Sequence, residues 1–267
     1  MYMMRALWTS ASGMKAQQYN VDTIANNLSN VNTIGFKKIR AEFEDLIYQT
    51  QRRAGTPATE DTVTPLGNQV GHGTKVSATH RLFEQGNLQV TNLNTDVAIE
   101  GDGFYKVLLS DGTYGYTRDG SFKIDANGNL VTNQGYILLP EISFPEEYIK
   151  NSIAISQEGI ISVKINEGLE SIELGQIEIA RFINPAGLNA IGNNIFKETI
   201  GSGEEISGIP GSNGMGKLKQ GMLEMSNVAI AEEMVTMIVA QRAYEINSKA
   251  IHTSDNMLGI ANNLKKQ

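Results

Sequence analysis

The sequence predicts an α+β fold: coiled-coil-like helices at the N- and C-termini packed together, with a central all-β domain. Two observations predict it. All six Pro lie between Pro57 and Pro210, and of 27 Gly only Gly13 and Gly35 precede Gly55 and only Gly259 follows Gly221. Pro and Gly break helices and supply turns, so the ends are free to be helical and the middle is not. The second observation is a seven-residue apolar repeat confined to those two ends.

At the N-terminus the repeat is Leu7, Met14, Val21 and Leu28, widened by Ile24 and Val31. Thr9 or Ser10 is the expected N-cap of this helix unless it begins earlier. The Asn-rich run Asn26, Asn27, Asn30 and Asn32, followed by Gly35 as a left-handed cap, marks its end. A second short helical piece is expected over residues 41–48. At the C-terminus Ile230, Met237, Tyr244, Ile251 and Leu258 stand seven apart, beside a more polar edge of Met234, Gln241, Ser248 and Asp255. Ser226 or Asn227 is the expected N-cap of a helix spanning about 228 to 264. Glu232 and Glu233 suit its first turns, and Lys265 and Lys266 its end. Two stripes far apart in sequence and alike in pattern are expected to pair with each other. Separate packing of each on the central domain stays open.

The middle reads as strands. Residues 96–109 hold two apolar runs around Gly101 and Gly103. Tyr114 and Tyr116 alternate, and Phe122 to Val131 forms a hairpin about a type I′ turn at Asn127-Gly128. Further strands are expected at 136–142, 152–156, 160–165 and 175–183, before a polar Gly-rich stretch from Gly201 to Gly216. Residues 49–75 are polar, rich in Thr and Gly, and carry almost no apolar pattern, which marks an extended arm. The expected domains are therefore a helical part, 1–45 with 225–267, an arm at 46–75 and a β-rich part at 76–224.

Composition excludes several functions. The chain has 267 residues, 40% hydrophobic and 19% charged, and a net charge of −7 from 22 basic and 29 acidic side chains. That is a folding composition without the basic surface that nonspecific nucleic-acid binding needs. It has no Cys, which removes disulfides, thiolate metal sites and a thiol nucleophile, and its three His, His72, His80 and His252, are scattered. No run of residues is long and apolar enough for a membrane span, and the start has no Sec leader pattern. Neither a cofactor nor a metal is expected.

Motifs for chemistry fail on inspection. Asp125-Ala-Asn127-Gly-Asn129 begins like a calcium loop, but Leu130 and Tyr136 stand at its sixth and twelfth positions, where Gly and Glu are required. The glycine pairs at 71/73, 101/103 and 214/216 complete no phosphate-binding fingerprint. Asp102, Asp111, Asp119 and Glu141 could supply a carboxylate pair, yet Asp111-Gly112 and Asp119-Gly120 are turn dipeptides first. The chain is expected not to be an enzyme.

Residues 25–38, ANNLSNVNTIGFKK, and 241–258, QRAYEINSKAIHTSDNML, resemble the paired terminal signatures of the flagellar basal-body rod and hook protein family. Between them, residues 99–104, 116–122 and 130–132 resemble that family's central β domain. The resemblance runs along the whole chain. Residues 46–73, with Leu46 to Thr50, Gly55-Thr-Pro57, Thr64-Pro65-Leu-Gly67 and Gln69 to Gly73, resemble the stretch that marks distal rod members, with Ala54 where Pro is usual.

The resemblance implies a structural subunit of the bacterial flagellar distal rod. It would be a helical homopolymer forming a rigid hollow tube that transmits torque from motor to hook and conducts exported subunits. It would sit in the periplasm-spanning rod of the basal body, after type III export without a cleaved signal peptide. Its partners would be other copies, proximal rod proteins, the hook protein, the surrounding ring proteins and the export apparatus. The two stripes, with Asn26, Asn27, Asn30, Gly35 and Phe36, would form assembly contacts. Tyr48, Gln49, Thr50, Gly55, Pro57, Pro65 and Gly67 would belong to an arm that straightens the tube. A hook or proximal rod subunit is the nearest alternative. A wall-cutting enzyme using Asp102 or Asp119 and a three-fold coiled-coil fibre are the others.

Overall fold

The computed structural model describes residues 2–55, 57–59, 62–63, 65–145, 148–149, 152–165 and 171–264. They form two compact units, one made of Met1–Leu28, Ile39–His80 and Ala229–Gln267, the other of Ser29–Lys38 and Arg81–Val228. Residues 29–38 thus group with the β-rich part and residues 76–80 with the helices, a division that differs from the expected boundaries.

The first unit is built on two long helices, α1 (Tyr2–Ser29) and α2 (Ile230–Leu264). Asn27 Nδ2 donates to Glu233 Oε2 at 3.1 Å, and a Cβ on Gly13 would lie 3.0 Å from Asn247 Nδ2. Gly13 and Asn27 are two heptads apart, and so are Glu233 and Asn247, in the opposite sense. The helices therefore run antiparallel in heptad register. Ala16, Ile24 and Asn27 of α1 and Glu233, Ala240 and Ser254 of α2 are buried. This seam of small and polar side chains lets the backbones approach closely.

Several local expectations are corrected. α1 begins at Tyr2, before Thr9 and Ser10, whose caps are not needed. It ends at Ser29, so Gly35, though left-handed at φ +68°, closes a later turn rather than the helix. Residues 41–48 are not helical: Ile39–Asp45 and Tyr48–Arg52 are strands, pairing with Thr74–Arg81 and Asn68–Gly71. In the first of these strands Ile39, Ala41 and Phe43 alternate with Arg40, Glu42 and Glu44, a period-two pattern that suits a pleated surface. Ser226 and Asn227 lie too far before Ile230 to cap α2. The expected Lys265 and Lys266 fall outside the described residues.

The second unit is antiparallel. Among the described residues its main sheet has nine strands, centred on Phe104–Leu108. That strand pairs with Tyr114–Thr117 on one side and with Ile137–Leu139 and Ile179–Arg181 on the other. A three-stranded sheet of Ala154–Ile155, Ile160–Lys164 and Ser171–Gln176 stands beside it. The main core packs Val97, Tyr105, Val107, Phe122, Leu138, Ile161, Ile177 and Ile179. The hairpin at 123–131 is present, with Lys123 opposite Val131 and Ile124 opposite Leu130. Its turn is not type I′. Gly128 N–H donates to Asp125 O at 2.9 Å, and only Gly128 of the turn is left-handed, at φ +83°. That is the three-residue form, a type I turn closed by a left-handed glycine.

A smaller aromatic cluster of Phe104, Tyr116, Phe182 and Phe196 packs edge to face. Tyr116 OH donates to Glu205 at 2.5 Å, and Lys106 pairs with the same carboxylate. Burial first, then the facing Glu205 and Glu198 carboxylates, hold the Tyr116 hydroxyl far above the usual tyrosine range, and burial does the same for Tyr105. The folded state therefore keeps these protons when the unfolded chain loses them, above about pH 10. Their contribution is complete below that value and is lost as pH rises beyond it. The unfolding midpoint in urea is expected to fall steeply above about pH 10, and to fall less steeply in Tyr116→Phe. Equal slopes would contradict this assignment.

Candidate assembly site

Residues 30–38 are tied into the β-rich unit by a buried charge cluster. Lys37 Nζ donates to Glu224 Oε1 at 2.6 Å and to Glu84 O at 2.7 Å. Gly86 N–H donates to the same Glu224 oxygen at 2.9 Å. Arg118 Nε stands 3.1 Å from Glu224 Oε2, as a charge contact without hydrogen-bond alignment. The Arg118 fork also donates to Gly101 O and Gly103 O at 2.7–2.8 Å. All three charged side chains are buried, at 0, 1 and 3% exposure. Burial pulls the Lys37 ammonium below the ordinary lysine value and Arg118 adds to this, against the attraction of Glu224.

Backbone contacts reinforce the cluster. Gly35 N–H donates to Glu224 O, and a Cβ there would stand 2.9 Å from the Arg118 carbonyl carbon. Glycine is therefore required on two counts, left-handed φ and close approach. Asn227, expected as a helix cap, instead accepts from Lys38 N–H at 2.7 Å and donates to Leu82 O at 3.0 Å. Phe36 is buried beneath the Arg81 guanidinium. Sequence reasoning missed Lys37, Arg118 and Glu224. The signal was weak, since a lone Glu between Leu223 and Met225 is visible but its partner is 187 residues away.

In the helical unit Asn27 pairs in both directions with the backbone of Ile39, donating to its O at 2.7 Å and accepting from its N–H at 2.9 Å. Asn26 is exposed and Asn30 half-buried, and the Asn30 amide oxygen accepts from Thr33 Oγ1. Leu7, Met14, Val21 and Leu28 are half-buried, as are Met237, Ile251 and Leu258, while Ile230 and Tyr244 are exposed. The expected edge at Met234, Gln241, Ser248 and Asp255 is displaced by one residue: the buried positions are Glu233, Ala240 and Ser254. These positions carry either a polar side chain paired across the helices, as Glu233 with Asn27, or the small Ala240 and Ser254. Large aliphatic side chains lie on the other side of α2. Met234, Val235, Ile238, Val239, Ile246 and Ile260 are 52–66% exposed.

The arm is a hairpin. Tyr48 pairs with Gly71, Gln49 with Val70 and Thr50 with Gln69, and all of Tyr48–Arg52 is exposed. Gly55 is left-handed beyond the first strand, Pro57 begins the tip strand Pro57–Thr59, and Pro65 and Gly67 precede the return strand. Thr64 lies outside the described residues. Two of the four acids considered for catalysis serve turns: Asp111 Oδ1 accepts from Thr113 N–H and Oγ1, and Asp119 Oδ1 from Ser121 N–H and Oγ. Asn129, in the calcium-like stretch, bonds Ser143 and Glu141. Among the described residues no group of His, Asp or Glu is arranged to hold a metal ion.

Three family models match in order: the flagella basal body rod protein model at residues 7–37, the flagellar hook protein FlgE/F/G D1 domain at 98–163, and the flagellar basal body rod FlgEFG protein C-terminal model at 219–264. Lys37, Arg118 and Glu224 fall one in each. The flagellar basal-body rod protein FlgG of Borreliella burgdorferi is 81% identical over 99% of this chain and its own full length. The chain belongs to the FlgG family of flagellar basal-body rod proteins. The FlgG of Bacillus subtilis is 40% identical over the same extent. The flagellar hook protein FlgE of Helicobacter mustelae is 38% identical, but the match spans only 45% of that relative. Family membership makes this chain a structural subunit of the flagellar distal rod.

The buried charge cluster has a measurable consequence. Lys37→Ala leaves Glu224 with the Gly86 N–H and Arg118 but without its lysine, beside a buried void. It is expected to lower unfolding free energy by about 3–5 kcal/mol, read from the urea midpoint with an unchanged slope. A change below about 1 kcal/mol would show that the cluster is solvated.

Proposed function

We propose that the subunit polymerises through the outward aliphatic face of α2, forming the inner wall of a rigid hollow tube that transmits torque from motor to hook and conducts exported subunits. The exposed row from Met234 to Ile260 carries the reading. A helix that keeps small residues for its own partner and turns its large aliphatic ones to solvent is built to be covered again. The half-buried stripes, with Asn26, Asn27, Asn30, Gly35 and Phe36, support the same layer. The chain acts without catalysis, inside the periplasm-spanning part of the rod, after export through the flagellar type III apparatus. Proximal rod proteins, the hook protein and the surrounding ring proteins are its neighbours. The hairpin at 48–71 rests on adjacent subunits and restricts sliding, because an isolated two-stranded hairpin is marginal in water and gains stability from a neighbour.

Tomography of cells lacking the gene is expected to show rods that end short with no hook. Rods of normal length lacking only the hook would move the subunit to the hook, and complete flagella would overturn the reading. Supplying Val239→Asp is expected to leave the rods short while the monomer's unfolding free energy changes by less than about 0.5 kcal/mol, as for an exposed site. Restored rods would remove the α2 face from assembly. Deleting residues 49–75 is expected to give tubes that bend; straight, stiff tubes would remove the arm's role.

A further inference from the structure

The β-rich unit carries a feature that the helices do not account for. A cavity of about 130 Å³ is walled by Phe83, Phe104 and Phe182 and edged by Ile183, with Arg181, Arg118 and Asp102 also in its lining. Beside it Ile200 stands fully in solvent, and Ile183 is 80% exposed. The loops that bear these two isoleucines are tied together. Asn184 Nδ2 donates to Gly201 O at 2.9 Å, Thr199 Oγ1 donates to Gly187 O at 2.6 Å, and Ser202 Oγ donates to Thr199 O at 2.8 Å. Large apolar side chains held in water by a stiff platform lose little freedom when covered, which is the property of an interface anchor. Arg181 donates only to Asn213 O, at 3.2 Å, and among the described residues no carboxylate lies within ion-pair distance of it. On a chain of net charge −7 Arg181 is a cation outside any ion pair, in the same cavity lining as Arg118 and Asp102 and next to an apolar ridge.

The complementary surface is present on the same chain. Residues 42–47 place Glu42, Glu44 and Asp45 around Phe43 and Ile47, and Ile47 is 84% exposed. Arg40 and Lys75 pair with Glu42 and Glu44 in exposed contacts, which hold little energy and leave the segment net negative. We propose that the Arg181 cavity and its Ile183–Ile200 ridge receive residues 42–47 of a second copy of this chain. The contact joins two different surfaces, so it is head-to-tail and generates an open helical array rather than a closed dimer. It rests on the reading that copies polymerise, and adds to it a specific contact on the β-rich unit, outside the helical layer.

The test uses the full chain, which has no cysteine of its own. Ile47→Cys/Ile200→Cys, treated with a short bismaleimide both as purified protein and in flagellated cells, is expected to give a ladder of dimers and higher multimers. Either single-Cys variant is expected to give only background. Adding Arg181→Glu is expected to weaken the ladder about tenfold, and further adding Glu44→Arg to restore part of it. No ladder from the double variant, or an equal one from a single variant, overturns the contact even where rods form normally. Complete flagella in the gene deletion would overturn the rod reading instead, and the ladder from purified protein would still decide the contact.

Discussion

The ion cluster of Lys37, Glu224 and Arg118 is the constraint on which the β-rich unit depends. Three charges without solvent are costly to bury, and each must find several partners at once. Here Glu224 accepts from Lys37 and from the Gly86 backbone while facing Arg118, and Arg118 spends its remaining donors on Gly101 and Gly103. The arrangement has one satisfactory geometry. It holds residues 35–38 and 224–227 in place within the β-rich unit.

The helical unit solves a different problem. Its inner seam is made of Gly13, Ala16, Ala240, Asn247 and Ser254, and its polar lock is Asn27 with Glu233 and Ile39. Such a seam sets register and close approach but buries little apolar area, so the pair gains only modest hydrophobic stabilisation. The larger apolar area lies outside. The monomer is thus well specified and only partly covered, a division that suits a subunit whose stability is completed by its neighbours.

Much of this was legible from pattern. The breaker-free ends, the heptads and the strand-rich middle follow directly from periodicity and from Gly and Pro placement, and α2 runs almost as expected. What was not legible depends on distant partners. Residues 41–48 read as helix because a short apolar run is ambiguous, and only pairing with Thr74–Arg81 makes it a strand. The Asn127-Gly128 dipeptide marked the turn but not its type, which the three-residue loop decides. The second edge of α2 was displaced by one position because it was placed by heptad offset from the apolar row, whereas the partner helix selects Glu233, Ala240 and Ser254. Glu224 and Lys37 carried no periodic signal, since an ion pair formed across the length of the chain leaves no local spacing.

That separation has a kinetic meaning. Lys37 and Glu224 are 187 residues apart, and closing so long a loop is slow and entropically costly. A chain presented progressively from its N-terminus carries Lys37 without its native carboxylate partner until more than four-fifths of it has emerged. Its last helix, with the aliphatic face, follows that carboxylate. The order of residues therefore acts as a timer: the β-rich unit closes late, and the surface most prone to stick arrives only when the rest of the molecule is ready to hold it.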